Sequence, residues 1–162
     1  MEFVAVIEVP KGSRNKYEMN HETGQIELDR ELFTSTRYPS DYGFIPETLA
    51  GDGDPLDVLV LVDEPTFPGC RIRCRPLGVF WMHDENGPDA KILAAPASDP
   101  RIEWGDLEDV PHHIRLEIGH FFDVYKDLEP GKSTDTRGWS GKRAAVAEIE
   151  ESRQRFVAHN PR

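Results

Sequence analysis

The sequence predicts a mainly β fold with α: a small β-barrel core carrying two substantial helices on its outside. Three observations carry this expectation. Short β-branched or apolar runs fill the first hundred residues, polar turns separate them, and helical spacing begins only after Pro111.

Residues 3–9 (FVAVIEV) are rich in β-branched side chains and stop at Pro10, so they read as a strand followed by the turn KGSRN. Lys16 to Glu18 and Ile26 to Leu28 flank the turn-forming NHETG and read as a hairpin. Val58 to Val62 is a continuous apolar run after a turn, as a buried strand is. Arg71 to Phe80 and Lys91 to Ala95 are further strands, separated by HDENGPD. After Pro111, residues Ile114, Ile118, Phe121, Phe122 and Tyr125 recur at steps of three and four, which predicts a helix. Ser140 is the expected cap of a second helix with Ala145, Ile149 and Phe156 on its apolar stripe. Residues 96–111 read as a polar loop, either an oligomer contact or a lid.

One domain covering 1–162 is expected from 162 residues with 38% hydrophobic and 30% charged side chains, without repeats or low-complexity tracts. The formal charge of −11 opposes binding to nucleic acid or to anionic membrane surfaces. No stretch approaches the roughly 20 apolar residues of a membrane span, and the N-terminus lacks the features of a secretory signal, so a cytoplasmic location is expected. Cys70 and Cys74 lie in CRIRCR, where a strand separates them by about 13 Å, too far for a disulfide; they read as free thiols.

The sharpest chemical signal is Asp52-Gly53-Asp54-Pro55-Leu56-Asp57, three carboxylates on a glycine-containing turn before VLVLV. Such crowding needs positive charge, and an oxygen-rich set without neighbouring Cys or His suits a hard divalent cation, Mg²⁺ above all. A calcium EF-hand needs Gly at loop position six and Glu at twelve, where this chain has Asp57 and Asp63. A second acidic turn, Asp84 to Lys91, could meet the first at one rim, and Glu8, Glu18, Lys16 and Arg30 supply the carboxylates and cations that a phosphate site combines. Gly131-Lys132-Ser133-Thr134 ends like a P-loop, but the required first glycine falls on Lys126.

Taken together these residues form a pattern. KYE at 16–18, Arg30, YPxDYGF at 38–44, DGDPLDVLV at 52–60, RCRPLGVF at 73–80, DExxxDAK at 84–91 and HFFxxYKDLEPGK at 120–132 run through nearly the whole chain. The chain resembles the soluble family I inorganic pyrophosphatases, and YExxHETG, with His21, resembles their compact form seen in actinobacteria. The resemblance implies an OB-like five-stranded β-barrel flanked by two helices, Mg²⁺-dependent hydrolysis of pyrophosphate to two phosphates, and a homohexamer. It implies several Mg²⁺ ions per site, with Mn²⁺ or Zn²⁺ as substitutes.

Carried over by position, Asp52, Asp57 and Asp89 would hold the first metal, with Asp57 shared by a second, and Asp54 would orient the attacking water and accept its proton. Asp84 and Asp89 would help hold a metal arriving with substrate, and Glu8 and Glu18 a further ion. Lys16, Arg30, Tyr42, Lys91, Tyr125 and Lys126 would contact the phosphates, with Tyr38 on the inner wall. These roles suit the chemistry: seven carboxylates outnumber four cations, so the metal-free site repels a polyanion until divalent ions neutralise it. His21 reads as a turn residue or one at the site mouth, and His112, His113 and His120 as candidates for a subunit contact. Ser133 to Thr136 departs from the more basic or aromatic stretch of the longer bacterial forms. The rival functions are hydrolysis of a larger diphosphate, which needs a wall for a base, and a noncatalytic OB-like module, which gains little from seven mutually repelling carboxylates.

Overall fold

The computed structural model describes residues 1–160. Nine strands and two α-helices follow in the order β1 (Phe3–Val9), β2 (Asn15–Asn20), β3 (Gln25–Glu31), β4 (Asp41–Phe44), β5 (Asp57–Val60), β6 (Arg71–Asp84), β7 (Gly87–Pro88), β8 (Lys91–Pro96), α1 (His112–Val124), β9 (Thr134–Gly141) and α2 (Lys142–His159). A 3-10 turn at Leu107–Asp109 precedes α1.

The expected OB-like five-stranded barrel is corrected here to a mixed α/β arrangement. The main sheet has seven strands along the path β1-β4-β5-β8-β6-β7, with β9 branching from β6, while β2 and β3 form a separate two-stranded ribbon. The β5–β8 ladder is parallel. β1 also pairs with β6 through Phe3–Val6, and β6 carries β7 and β9 besides β8, so the sheet forks at β6. The physical cause is the length of β6. Its 14 residues span roughly 45 Å and pair in overlapping stretches with β1 (Arg71–Cys74), β8 (Cys74–Phe80), β9 (Gly78–Asp84) and β7 (His83–Asp84).

Both faces of this sheet are apolar. Val58, Val60, Ile92 and Ala94 face a cluster that includes Ala145 and Ile149 of α2, whereas Leu59, Leu93 and Ala95 face one that includes Ile118, Phe121 and Phe122 of α1. Alternation along a strand puts neighbours on opposite faces, so the continuous apolar runs of β5 and β8 record burial on both sides. The described helices are not long and apolar enough to cross a membrane.

Three elements differ from expectation. β4 lies within the predicted YPxDYGF stretch but has no alternation, because all four of its residues are buried. Its glycine is dictated by close approach: a Cβ at Gly43 would lie 1.9 Å from the Val6 carbonyl oxygen of β1. β9 replaces the expected lead into α2. Ser140 belongs to that strand and accepts a hydrogen bond from Trp81 Nε1 at 2.7 Å, while Gly141 is the N-cap and makes no side-chain bond. Loop 96–111 is anchored: the Arg75 guanidinium donates to the carbonyls of Trp104 at 3.1 Å and Pro96 at 3.2 Å, and also to that of Ile102.

Candidate active site

The turns at one end of β5 and β8, the start of the ribbon and the end of α1 enclose a polar cavity of about 350 Å³. With liquid water taking about 30 Å³ per molecule, a small polyanion fits together with ions and water. The thirteen residues assigned above all line it: Glu8, Lys16, Glu18, Arg30, Tyr42, Asp52, Asp54, Asp57, Asp84, Asp89, Lys91, Tyr125 and Lys126. Tyr38 does not; it is buried behind the cavity, 5.3 Å from the Tyr42 ring and 4.7 Å from Phe121. His21 lines the cavity and meets Phe44 edge-on at 4.9 Å.

Local structure aims these side chains. Asp52 Oδ1 accepts from the Asp54 backbone N–H at 3.0 Å, closing a turn whose top, Gly53, has φ +90°, a conformation that favours glycine. This leaves Asp54 exposed at the cavity edge. Asp57 starts β5 opposite Lys91 of β8. Lys91 is 2% exposed and donates to Tyr42 Oη at 2.7 Å, Asp57 Oδ2 at 2.8 Å and Asp89 Oδ2 at 2.8 Å. Burial alone would lower its pKa, but Asp57, Tyr42 and Asp89 outweigh that and raise it well above the ordinary value, so the ammonium is retained. Burial pushes the Tyr42 and Tyr125 hydroxyls up, so both are neutral donors.

The carboxylates lack enough cations. Nine of them line the cavity against five Lys and Arg side chains, which leaves four negative charges uncompensated. Glu8 shows the consequence. Burial, only partly offset by the Met19 N–H at 2.7 Å, moves its carboxyl to about 7, and Asp57 and Glu18 push the same way. Asp52 is also raised, chiefly by burial. Among the described residues no three His, Cys, Asp or Glu side chains already close around one point. The oxygens therefore bracket the cavity without forming a cage, a set that suits an ion held through a few carboxylates, water and substrate oxygens.

A family model described as inorganic pyrophosphatase matches residues 5–157. The chain belongs to the inorganic pyrophosphatase family. It is 62% identical over 160 residues to an inorganic pyrophosphatase of Streptomyces coelicolor, covering 96% of each chain. It is 52% identical to one of Methanosarcina acetivorans, covering 96% of this chain and 92% of that one. The crystal structure of the inorganic pyrophosphatase from Thermus thermophilus superposes with a TM-score of 0.93 at 46% identity, covering 96% of this chain and 91% of that one.

Four charged residues of this pyrophosphatase-family cavity region received no individual role from the sequence. Asp29 accepts from Lys16 Nζ at 3.2 Å and also from Arg30 Nη1. Glu129 pairs with Arg30 through Oε1 and Nε and accepts from Nη2 at 3.2 Å. Glu85 lies 3.4 Å from Lys126 Nζ and 3.3 Å from Lys132 Nζ. Against a burial penalty, its own backbone N–H, Lys126, the Ser133 N–H and Lys132 hold its carboxyl at about 2. The divergent stretch after Lys132 is the strand partner of this corner, with Thr134 opposite Asp84. Glu85, Glu129 and Lys132 lie within the quoted motifs, but their ion-pair partners are 41 to 99 residues away in sequence.

Proposed function

We propose that this chain hydrolyses pyrophosphate to two orthophosphates in an Mg²⁺-dependent reaction, with Asp54 as the group that takes the proton of the attacking water. The observation that carries this reading is the convergence of all thirteen assigned side chains on one cavity with an excess of carboxylate charge. Glu8, Glu18, Asp52, Asp57, Asp84 and Asp89 are the residues that would hold Mg²⁺, and Mn²⁺ or Zn²⁺ are proposed substitutes. Bound there, the ions supply charge neutralisation and a lowered pKa for water.

The protein side chains do the rest. Asp54, exposed beside the carboxylate turn, removes a proton as the water oxygen attacks one phosphorus and the bridging P–O bond breaks. Lys16, Arg30 and Lys126 hold phosphate oxygens and stabilise charge moving onto the leaving phosphate. Lys91 keeps Asp57 and Asp89 in place and remains charged beside them. Tyr42 and Tyr125 orient oxygens as neutral donors. The rings of Tyr42 and Tyr125 pack on Phe122, at 6.1 and 5.4 Å, so neither is free to stack on a base.

We further propose that the chain is one domain and acts as a homohexamer in the cytoplasm. The free thiols of Cys70 and Cys74 suit a reducing compartment, and the exposed Leu116, His112, His113 and His120 of α1 leave a surface for a subunit contact. Phosphate release from pyrophosphate and from ADP, each with Mg²⁺ and with a chelator, tests the function. Release from pyrophosphate alone, abolished by the chelator, is expected; preferential release from ADP would refute the reading.

A further inference from the structure

Three of the cations assigned to substrate, Lys16, Arg30 and Lys126, come from two separate elements. Lys16 and Arg30 stand opposite each other on the β2–β3 ribbon, which shares no ladder with the main sheet. Tyr125 and Lys126 lie at the end of α1. A diphosphate gripped from both sides needs the gap between these elements fixed, because misplacement of about 1 Å can cost on the order of 100-fold in rate.

Glu129 spans that gap. Its backbone N–H donates to the Lys126 carbonyl at 3.0 Å, and its carbonyl accepts from the Lys132 N–H at 3.3 Å, so it belongs to the turn that carries both lysines. Its side chain, with the residue 7% exposed, reaches across 99 positions of sequence to the Arg30 Nε and Nη2 atoms. Asp29 occupies Nη1. A guanidinium has five N–H groups. Nη1 donates one to Asp29 and Nη2 one to Glu129, while Nε stands in an ion pair with Glu129 without donating a hydrogen bond, so one N–H remains on each terminal nitrogen, and two such groups suit phosphate oxygens.

We propose that Glu129 is a positioning residue for diphosphate recognition: it locks Arg30 to the Lys126 turn, so that the two remaining terminal N–H groups of Arg30 and the Lys126 ammonium stand at a fixed separation. The proposal rests on the pyrophosphatase reading and names what sets the geometry of its phosphate grip. Glu129 does not line the cavity, so it acts through Arg30.

The test is a double-mutant cycle on the full chain with Mg²⁺, comparing the parent, Glu129→Gln, Arg30→Ala and the pair, with Glu129→Asp as a second variant that keeps the charge. kcat/KM for pyrophosphate is read together with Tm and with the Tm shift caused by inorganic phosphate. Glu129→Gln should lower kcat/KM about 10-fold and shrink the phosphate-induced shift, whereas in the Arg30→Ala background the same change should alter kcat/KM less than about twofold. Glu129→Asp should lose less than Glu129→Gln. A loss of equal size in both backgrounds would assign Glu129 a purely structural role and overturn the proposal, as would parental kinetics in Glu129→Gln. A parent that releases no phosphate from pyrophosphate would overturn the functional reading as well.

Discussion

Asp57 and Lys91 face each other across the parallel β5–β8 ladder, and their side chains meet at 2.8 Å. Strand pairing thereby delivers a carboxylate and a buried ammonium to the same point, and Asp89, two residues before Lys91, closes on that ammonium at 2.8 Å. A cation built into the sheet holds together two of the carboxylates that are proposed to bind metal.

Removing that cation leaves Asp57 and Asp89 repelling each other in a low-dielectric setting. Lys91→Met should destabilise the metal-free protein by about 3 kcal/mol and lower kcat/KM by roughly 100-fold. Chemical denaturation and steady-state kinetics check the two effects separately. Parental stability would mean that the pair is not coupled as the geometry requires.

Glu8 predicts a pH dependence of the metal-free protein. Its folded pKa of about 7 lies above the ordinary 4.5, chiefly through burial. Between those values the folded chain retains a proton that the unfolded chain has released, so this contribution to stability is present below pH 4.5 and is lost as pH rises through 7. Melting curves in chelator should show the parent losing stability relative to Glu8→Gln between pH 5 and 7.5, by on the order of 2–3 kcal/mol. Parallel curves for the two proteins would contradict the assignment.

Gly43 tests the placement of Tyr42. A methyl group there would collide with the Val6 carbonyl, which belongs to backbone and cannot rotate away. Gly43→Ala should cost about 3 kcal/mol or more and displace Tyr42 from Lys91, read as a lower Tm and a lower kcat. An unchanged Tm would show that β1 and β4 do not pack as closely as described.

What could be read from sequence followed from local pattern. β1, the ribbon, β5, β8 and the two helices announced themselves through apolar runs and spacing. β4 did not, since Asp41 begins it and is buried, held by the Lys11 N–H at 2.8 Å and the Thr66 hydroxyl at 2.6 Å, partners that no local reading supplies. β9 was hidden by its polar composition, and the sheet was misread as a five-stranded barrel because nothing local reveals that β6 serves four neighbours. At the site the acidic turns were legible because several carboxylates crowd there within a few residues of sequence. Asp29, Glu129 and the pairing of Glu85 with Lys126 were not, because an ordinary acidic residue gains its role only from the lysine or arginine that folding brings to it.

The most direct test is phosphate release from pyrophosphate by the parent and by Asp54→Asn, each with and without Mg²⁺. Mg²⁺-dependent release by the parent, reduced about 100-fold or more in Asp54→Asn, is the expected result. Release by the variant at the parental rate would remove Asp54 as the proton acceptor, and no release by the parent would contradict the proposed function itself.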